Sequence, residues 1–266
     1  MQGESPKLLL TEDKEGLLHA DGALPDASAA CHWLVKFARG RDERERQILR
    51  NEGAYLKVAA LLGADVHRAD VVAMEMGNAL FIPRFDRTCH DGRVERFGLE
   101  SFASAAGIAE FGVRVTHQDN CALIQRFSSA PADDLLEYLR RDVLNICLGN
   151  TDNHLRNHAF LKRRGGEVSL SPFYDFAPMF MSPEGIARVC RWGGMEQMAQ
   201  PDWSAVAHYV ADLKGGPEPV RIAQLFNELS ELFGRFALLA DQAEFESVLV
   251  EMRRRSIDDN RRLLDR

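Results

Sequence analysis

The residues of this chain whose types and spacing could do chemistry lie in Gly149-Asn150-Thr151-Asp152-Asn153-His154-Leu155-Arg156-Asn157 and, further on, Phe173-Tyr174-Asp175-Phe176. An Asp, an Asn five residues later and a second Asp downstream are the groups needed for phosphoryl transfer from ATP to a hydroxyl. In that chemistry Asp152 takes the proton of the attacking hydroxyl, and Asn157 and Asp175 hold Mg²⁺ against the phosphates. Oxygen-bearing side chains suit a hard cation that keeps several waters. The same residue types are also ordinary turn formers, so the pattern acquires meaning only if the chain gathers them. His154 and His158, four apart, would permit a metal pair, but Leu155 stands where a zinc protease carries Glu, and zinc is not expected.

The flanking pattern supplies the gathering. Leu135, Leu136, Leu139, Val143, Ile146 and Cys147 recur at helical spacing over Asp133–Leu148, and Gly149-Asn150 ends that helix. Ala159-Phe160-Leu161 and Val168-Ser169-Leu170, around Gly165-Gly166, read as a β-hairpin that returns Asp175 to the loop of Asp152 and Asn157. Upstream, Cys31–Phe37 reads as a strand with Trp33, Val35 and Phe37 on one face and Leu34 and Lys36 on the other. Lys36 there is either a snorkelling edge residue or is aimed at an anion. A helix over Asp42–Leu62 carries one stripe, Ile48, Glu52, Tyr55, Ala59 and Leu62. Glu52 is either paired with Lys36 or solvated at the rim. Strands follow near Asp70–Glu75 and Ala79–Arg84, joined by Met76-Gly77-Asn78, and then Pro83-Arg84-Phe85-Asp86-Arg87. This last run suits a crossover offering backbone groups to adenine, with Asp86 near a ribose hydroxyl; a surface turn would have the same composition.

Taken in order, Trp33-Leu34-Val35-Lys36-Phe37, Asn51-Glu52, Arg84-Phe85-Asp86-Arg87, Gly149–His154 with Asn157, and Pro172-Phe173-Tyr174-Asp175 resemble the HipA-like kinases of bacterial toxin–antitoxin systems. The resemblance covers nearly the whole chain. It implies Asp152 as catalytic base, Asn157 and Asp175 as metal ligands, Lys36 as the phosphate-contacting lysine and Glu52 as its partner. It implies Pro83, Arg84 and Phe85 as the adenine hinge, with Asp86, His154, Arg156, Asn157 and Tyr174 completing the nucleotide site. Gly3, Glu4, Ser5 and Lys7 resemble the second half of the family's phosphate loop, whose autophosphorylated Ser would fall at or before Met1. The family's small upstream domain is not in this sequence, so the resemblance implies a cut-down chain or a separately encoded small subunit. Its members phosphorylate protein serine or threonine, aminoacyl-tRNA synthetases being the known target class, and pair with an antitoxin.

The expected fold is α+β and two-lobed, protein-kinase-like. Residues 1–86 form a small mixed β/α lobe that binds nucleotide, and residues 87–266 a mainly helical catalytic lobe. Residues 97–150 and 201–266 are largely helical in pattern, with a turn at Gly215-Gly216-Pro217. A 45% hydrophobic fraction is ample for a core. Five scattered cysteines, no span-length apolar run and no signal-peptide pattern point to free thiols in a reducing cytoplasm. A net charge of −7 disfavours direct nucleic-acid binding. Lys162-Arg163-Arg164 and Arg253-Arg254-Arg255 read as solvated faces. Two other classes fit parts of the pattern: a small-molecule kinase of the aminoglycoside or choline type, and a nonenzymatic nucleotide- and antitoxin-binding module.

Overall fold

The computed structural model describes residues 5–40, 42–75, 78–110 and 112–265. Gly3, Glu4 and the Met76-Gly77 part of the expected turn lie outside the described residues. Strands β1 (Lys7–Asp13), β2 (Leu18–Ala20) and β3 (Ala29–Phe37) precede helix α1 (Glu43–Leu61); β4 (Ala73–Glu75) and β5 (Ala79–Pro83) follow it. All pair antiparallel in the order β2-β1-β3-β5-β4. Thus β3 is the central strand, and Lys36 is not an edge residue. Asp42 caps α1 by accepting the Arg44 N–H at 2.9 Å. The whole expected stripe of α1, Glu52 included, is buried. Its apolar members drive the docking, Ile48 and Leu62 each stabilising by about 1.5–3 kcal/mol.

Next come β6 (Arg87–His90), β7 (Arg93–Arg96) and β8 (Gly98–Ser101), then α2 (Phe102–Ala105), α3 (His117–Phe127) and α4 (Pro131–Leu148). Residues 97–150 are therefore less helical than their pattern predicts. Gly98–Ser101 pairs with β9 (Ala159–Lys162), which also pairs with β10 (Val168–Leu170) in the expected hairpin. A β-hairpin also occupies 87–96, turning at Asp91 and Gly92, whose φ values of 48° and 69° are those of a two-residue hairpin turn. After a small hairpin, β11 (Glu196–Gln197) and β12 (Gln200–Pro201), the chain ends in α5 (Trp203–Ala211), α6 (Pro219–Gly234), α7 (Phe236–Gln242) and α8 (Ser247–Leu264). The 215–217 turn joins α5 to α6 as expected. Helix α4 is central to this mainly helical part, packed on α3, α6 and α8, with Leu135, Leu139, Val143 and Cys147 fully buried. Among the described residues no helix is long and apolar enough to cross a membrane.

Candidate active site

The loop of Asp152 begins where α4 is made to stop. Gly149 takes φ 75°, ψ 31°, a conformation that side chains with a Cβ resist. The last carbonyls of α4 would be orphaned there. Tyr55 Oη donates to the Leu148 carbonyl at 2.8 Å, and Arg253 donates to those of Cys147 and Ile146 at 3.0 and 2.8 Å. Arg253 is therefore turned inward, with its guanidinium 5.0 Å from the Phe180 ring centroid. This corrects the solvated-face reading for Arg253 alone; Arg254, Arg255 and Lys162-Arg163-Arg164 are exposed. Asn150 clips back onto Asn145 through its backbone and side chain, both at 2.9 Å.

Asp152 follows with its side chain 28% exposed, and His154 Nε2 lies 3.5 Å from its Oδ1. A single 3₁₀ turn, Leu155–Asn157, is pinned by buried Leu155. It lets Asn157 Nδ2 donate to the Asp152 carbonyl at 2.6 Å. The amide nitrogen is thereby used, and the amide oxygen is the atom left for a cation. Arg156 turns its guanidinium to the Ala109 carbonyl at 2.8 Å, while its own carbonyl accepts from Tyr174 Oη at 2.9 Å.

Asp175 arrives from the β10 side with φ 56°, a left-handed conformation that Asp tolerates better than most residues. Its Oδ1 accepts from Lys36 Nζ at 2.5 Å, and Lys36 Nζ also bonds Glu52 Oε1. Lys36 and Glu52 are buried, whereas the Asp175 side chain is 35% exposed. The Lys36–Glu52 pairing is thus realised, and the solvated alternative for Glu52 is not. Burial alone would discharge Lys36, but Asp175 and Glu52 outweigh it and hold the ammonium above its usual range. Burial likewise pushes Asp175 up, but Lys36, with Lys7 behind it, holds its carboxyl at about 2. Lys7 stands directly opposite Lys36 in the β1–β3 register. Like charges so placed repel; the fields of both lysines reach Asp175 and Glu52, which offset that repulsion.

At the end of β5, Pro83 is buried and the Arg84 N–H donates to the His32 carbonyl at 2.9 Å. The Phe85 ring centroid lies 5.7 Å from that of Tyr174, joining the expected hinge to the residue before Asp175. Asp86 is committed to arginines: Arg84 reaches its two oxygens at 2.9 and 2.6 Å, and Arg87 reaches one at 3.2 Å. Asp21, which sequence reasoning did not find, takes the other ends of both arginines, at 3.1 and 3.2 Å.

Lys7, Lys36, Glu52 and Asp175 thus form one cluster, and Tyr174 ties it to Phe85 and to the loop of Asp152 and Asn157. Ser5 precedes β1, Arg156 points to a carbonyl, and Gly3 and Glu4 are not among the described residues. Among the described residues no three His, Cys, Asp or Glu side chains gather as a metal cage. The Asn157 amide oxygen and the Asp175 carboxylate are oxygen donors of the kind Mg²⁺ takes, phosphates and water supplying the rest of its shell. Sequence reasoning also missed Asn153, which bonds the backbone of Cys190; no local pattern announces such a contact.

Y4mE of Sinorhizobium fredii, whose name assigns it provisionally as a kinase, is 28% identical over 210 residues, 74% of this chain and 49% of that protein. The serine/threonine-protein kinase toxin HipA of Shewanella oneidensis is 26% identical over 199 residues, 67% of this chain and 43% of that protein. The chain spans about half the length of the curated relatives it matches. The solved complex of Shewanella oneidensis HipA with HipB and operator DNA contains a chain that aligns with 99% of this one at TM-score 0.65 and 20% identity, over 63% of its own length. The Helicobacter pylori proinflammatory kinase CtkA aligns over 88% of this chain and 87% of its own, at TM-score 0.55 and 13% identity. The fold is the two-lobed, kinase-like one. With the HipA-like C-terminal domain profile matching residues 1–235, the chain belongs to the HipA-like family.

Proposed function

We propose that this chain is a serine/threonine-protein kinase that moves the ATP γ-phosphoryl group to a protein hydroxyl. The observation that carries the reading is the Lys36 ammonium held between Glu52 and Asp175, 139 residues from the latter. A phosphotransferase needs that lysine at the phosphates and that carboxylate at the metal. Asp152 orients the acceptor hydroxyl and takes its proton. Lys36 and Lys7 present positive charge to the phosphates. Phe85 and Tyr174 line the adenine end, and Asn157 holds the Asp152 backbone in place. Mg²⁺, when bound by Asn157 and Asp175, supplies further neutralisation of phosphate charge. The nucleotide-binding lobe runs to about residue 86, and the helical remainder carries the base. The family resemblance supports an acceptor in the translation machinery, such as an aminoacyl-tRNA synthetase. It also supports a cytoplasmic setting and an antitoxin or small-subunit partner; the HipA neighbour is solved with HipB and operator DNA.

The test is incubation of the chain with γ-labelled ATP, Mg²⁺ and a bacterial lysate, beside Asp152→Asn. A labelled protein band that falls by about 10²-fold or more in the variant is expected, the loss typical of a removed general base. Labelled small molecules would instead indicate a small-molecule kinase. Nucleotide binding without transfer would indicate a nonenzymatic module.

A further inference from the structure

Four consecutive residues, Cys190 to Gly193, are gripped one after another by other elements. Asn153 Nδ2 donates to the Cys190 carbonyl at 3.2 Å, and Asn153 Oδ1 accepts the Cys190 N–H at 3.3 Å. The His117 N–H donates to the Arg191 carbonyl at 3.0 Å. Trp192 donates its indole N–H to Asp142 at 2.8 Å and its backbone N–H to Glu196 at 3.2 Å. Gln118 repeats the amide grip on Gly193, donating at 2.8 Å and accepting at 3.0 Å. An amide that bonds both the N–H and the C=O of one residue does what a neighbouring strand would do.

Beneath this segment lies buried charge. Asp142, 2% exposed, is 3.3 Å from His117 Nε2 and 4.0 Å from Arg188, and Arg188 also pairs with Glu196. Charges so buried are costly unless paired, and removing one partner is strongly destabilising. The bonds to Cys190, Arg191, Trp192 and Gly193, with the Arg188–Glu196 pair, hold the segment from Arg188 to Glu196 as one platform. Of its two amide grips, only one adjoins the proposed base: Asn153, 1% exposed, is the next residue after Asp152.

We propose that Asn153 is a positioning residue: its two-way bond to Cys190 registers Asp152 against this platform. The catalytic consequence rests on the kinase reading above; the mechanical tie does not. The experiment compares Asn153→Ala with Gln118→Ala in the full 266-residue chain. Three quantities are read: hydrogen exchange by mass spectrometry, binding of a fluorescent ATP analogue, and turnover with MgATP and dephosphorylated casein as probe acceptor. Asn153→Ala should raise exchange in residues 149–157 and 188–196 together. Its kcat should fall by about 10²-fold, the scale set by a 1 Å misplacement, with KM for ATP and analogue affinity unchanged. Gln118→Ala should raise exchange around 191–193 alone and leave kcat unchanged. Asn153→Asp keeps the shape and the acceptor but loses the donor to the Cys190 carbonyl, and it carries the same test should truncation unfold the chain. Unchanged exchange in 149–157, or equal kcat losses for the two Ala variants, overturns the proposal. If Asn153→Ala shows the coupled exchange while the wild type labels no protein in a bacterial lysate, the tie stands and the kinase reading falls. An active wild type matched by a fully active Asn153→Ala does the reverse.

Discussion

Gly149→Ala tests whether the end of α4 is what fixes the loop of Asp152. At φ 75° an added Cβ costs about 1–2 kcal/mol from the backbone alone. It would also stand 2.7 Å from Phe180 Cδ1 and 2.9 Å from Arg253 Cζ. Carbon atoms pack best near 3.5–4.0 Å, so both groups must retreat by about 1 Å, an overpacking that costs about 1–3 kcal/mol. Arg253 cannot retreat without loosening its bonds to the Cys147 and Ile146 carbonyls. The sum is about 2–5 kcal/mol, and Tm should fall by about 4–9 °C for a chain of this size.

Gly185→Ala is the internal control. It shares the positive φ, at 63°, but its added Cβ would meet nothing within 4 Å. It should lose only the backbone share, about 1–2 kcal/mol. Urea unfolding of both variants, and of Gly149→Ala in a Phe180→Ala background, separates the terms. The second background removes the closer obstacle and should recover part of the Gly149→Ala loss. Equal losses at the two glycines, or no coupling to Phe180, would refute the packing argument.

Asp175→Ala should weaken Mg²⁺-dependent ATP binding more than Mg²⁺-free binding in calorimetric titrations; equal losses would indicate a folding defect instead. A double-mutant cycle of Lys36→Met and Glu52→Gln on ATP affinity should show coupling of about 0.5–3 kcal/mol, the range for residues in direct contact; additive losses would deny the pair a shared role. His158 is held neutral: burial lowers its pKa from 6.5 to about 3. Below pH 6.5 the unfolded chain binds a proton that the folded chain refuses, so stability falls as pH drops from 6.5 towards 3. His158→Phe should reduce the slope of unfolding free energy between pH 6 and 4 by about 1.4 kcal/mol per pH unit, and an unchanged slope would show that His158 protonates in place.

Much of this site was legible because its logic is local. The α1 stripe put Glu52 on a buried face, the strand alternation put Lys36 on one face of its sheet, and Gly149-Asn150 ended α4 where the structure ends it. What escaped depends on distant pairing. Gly98–Ser101 becomes a strand only because Ala159–Lys162 lies beside it. Arg253 resembles its neighbours until α4 presents open carbonyls to it. Asp142 and His117 lie far in sequence from Arg188, Trp192 and Glu196, and periodicity does not say which charge meets which. The β6–β7 hairpin is different: Asp91-Gly92 is a strong turn dipeptide, and that signal was present in the sequence.

The charge balance of the cluster carries the last step. Lys7 and Lys36 bring two ammonium groups to the place where Glu52 and Asp175 bring two carboxylates. Such a quartet is neutral by itself, which is how two lysines can stand opposite one another on adjacent strands. On the proposed reading a triphosphate brings several negative charges to this point. Neutrality then fails unless cations come with it or a carboxylate gives up its lysine. Asp175 is the carboxylate free to do so, because it is the partly exposed one, while Glu52 lies on the buried face of α1. On the proposed kinase reading the site exchanges: Lys36 keeps Glu52 as its permanent partner and turns from Asp175 to phosphate, leaving the Asp175 carboxylate for a cation. On this reasoning adenosine and AMP should bind with little dependence on divalent cation, whereas ATP binding should depend on it steeply. Equal dependence for all three would mean that the quartet does not reorganise around phosphate.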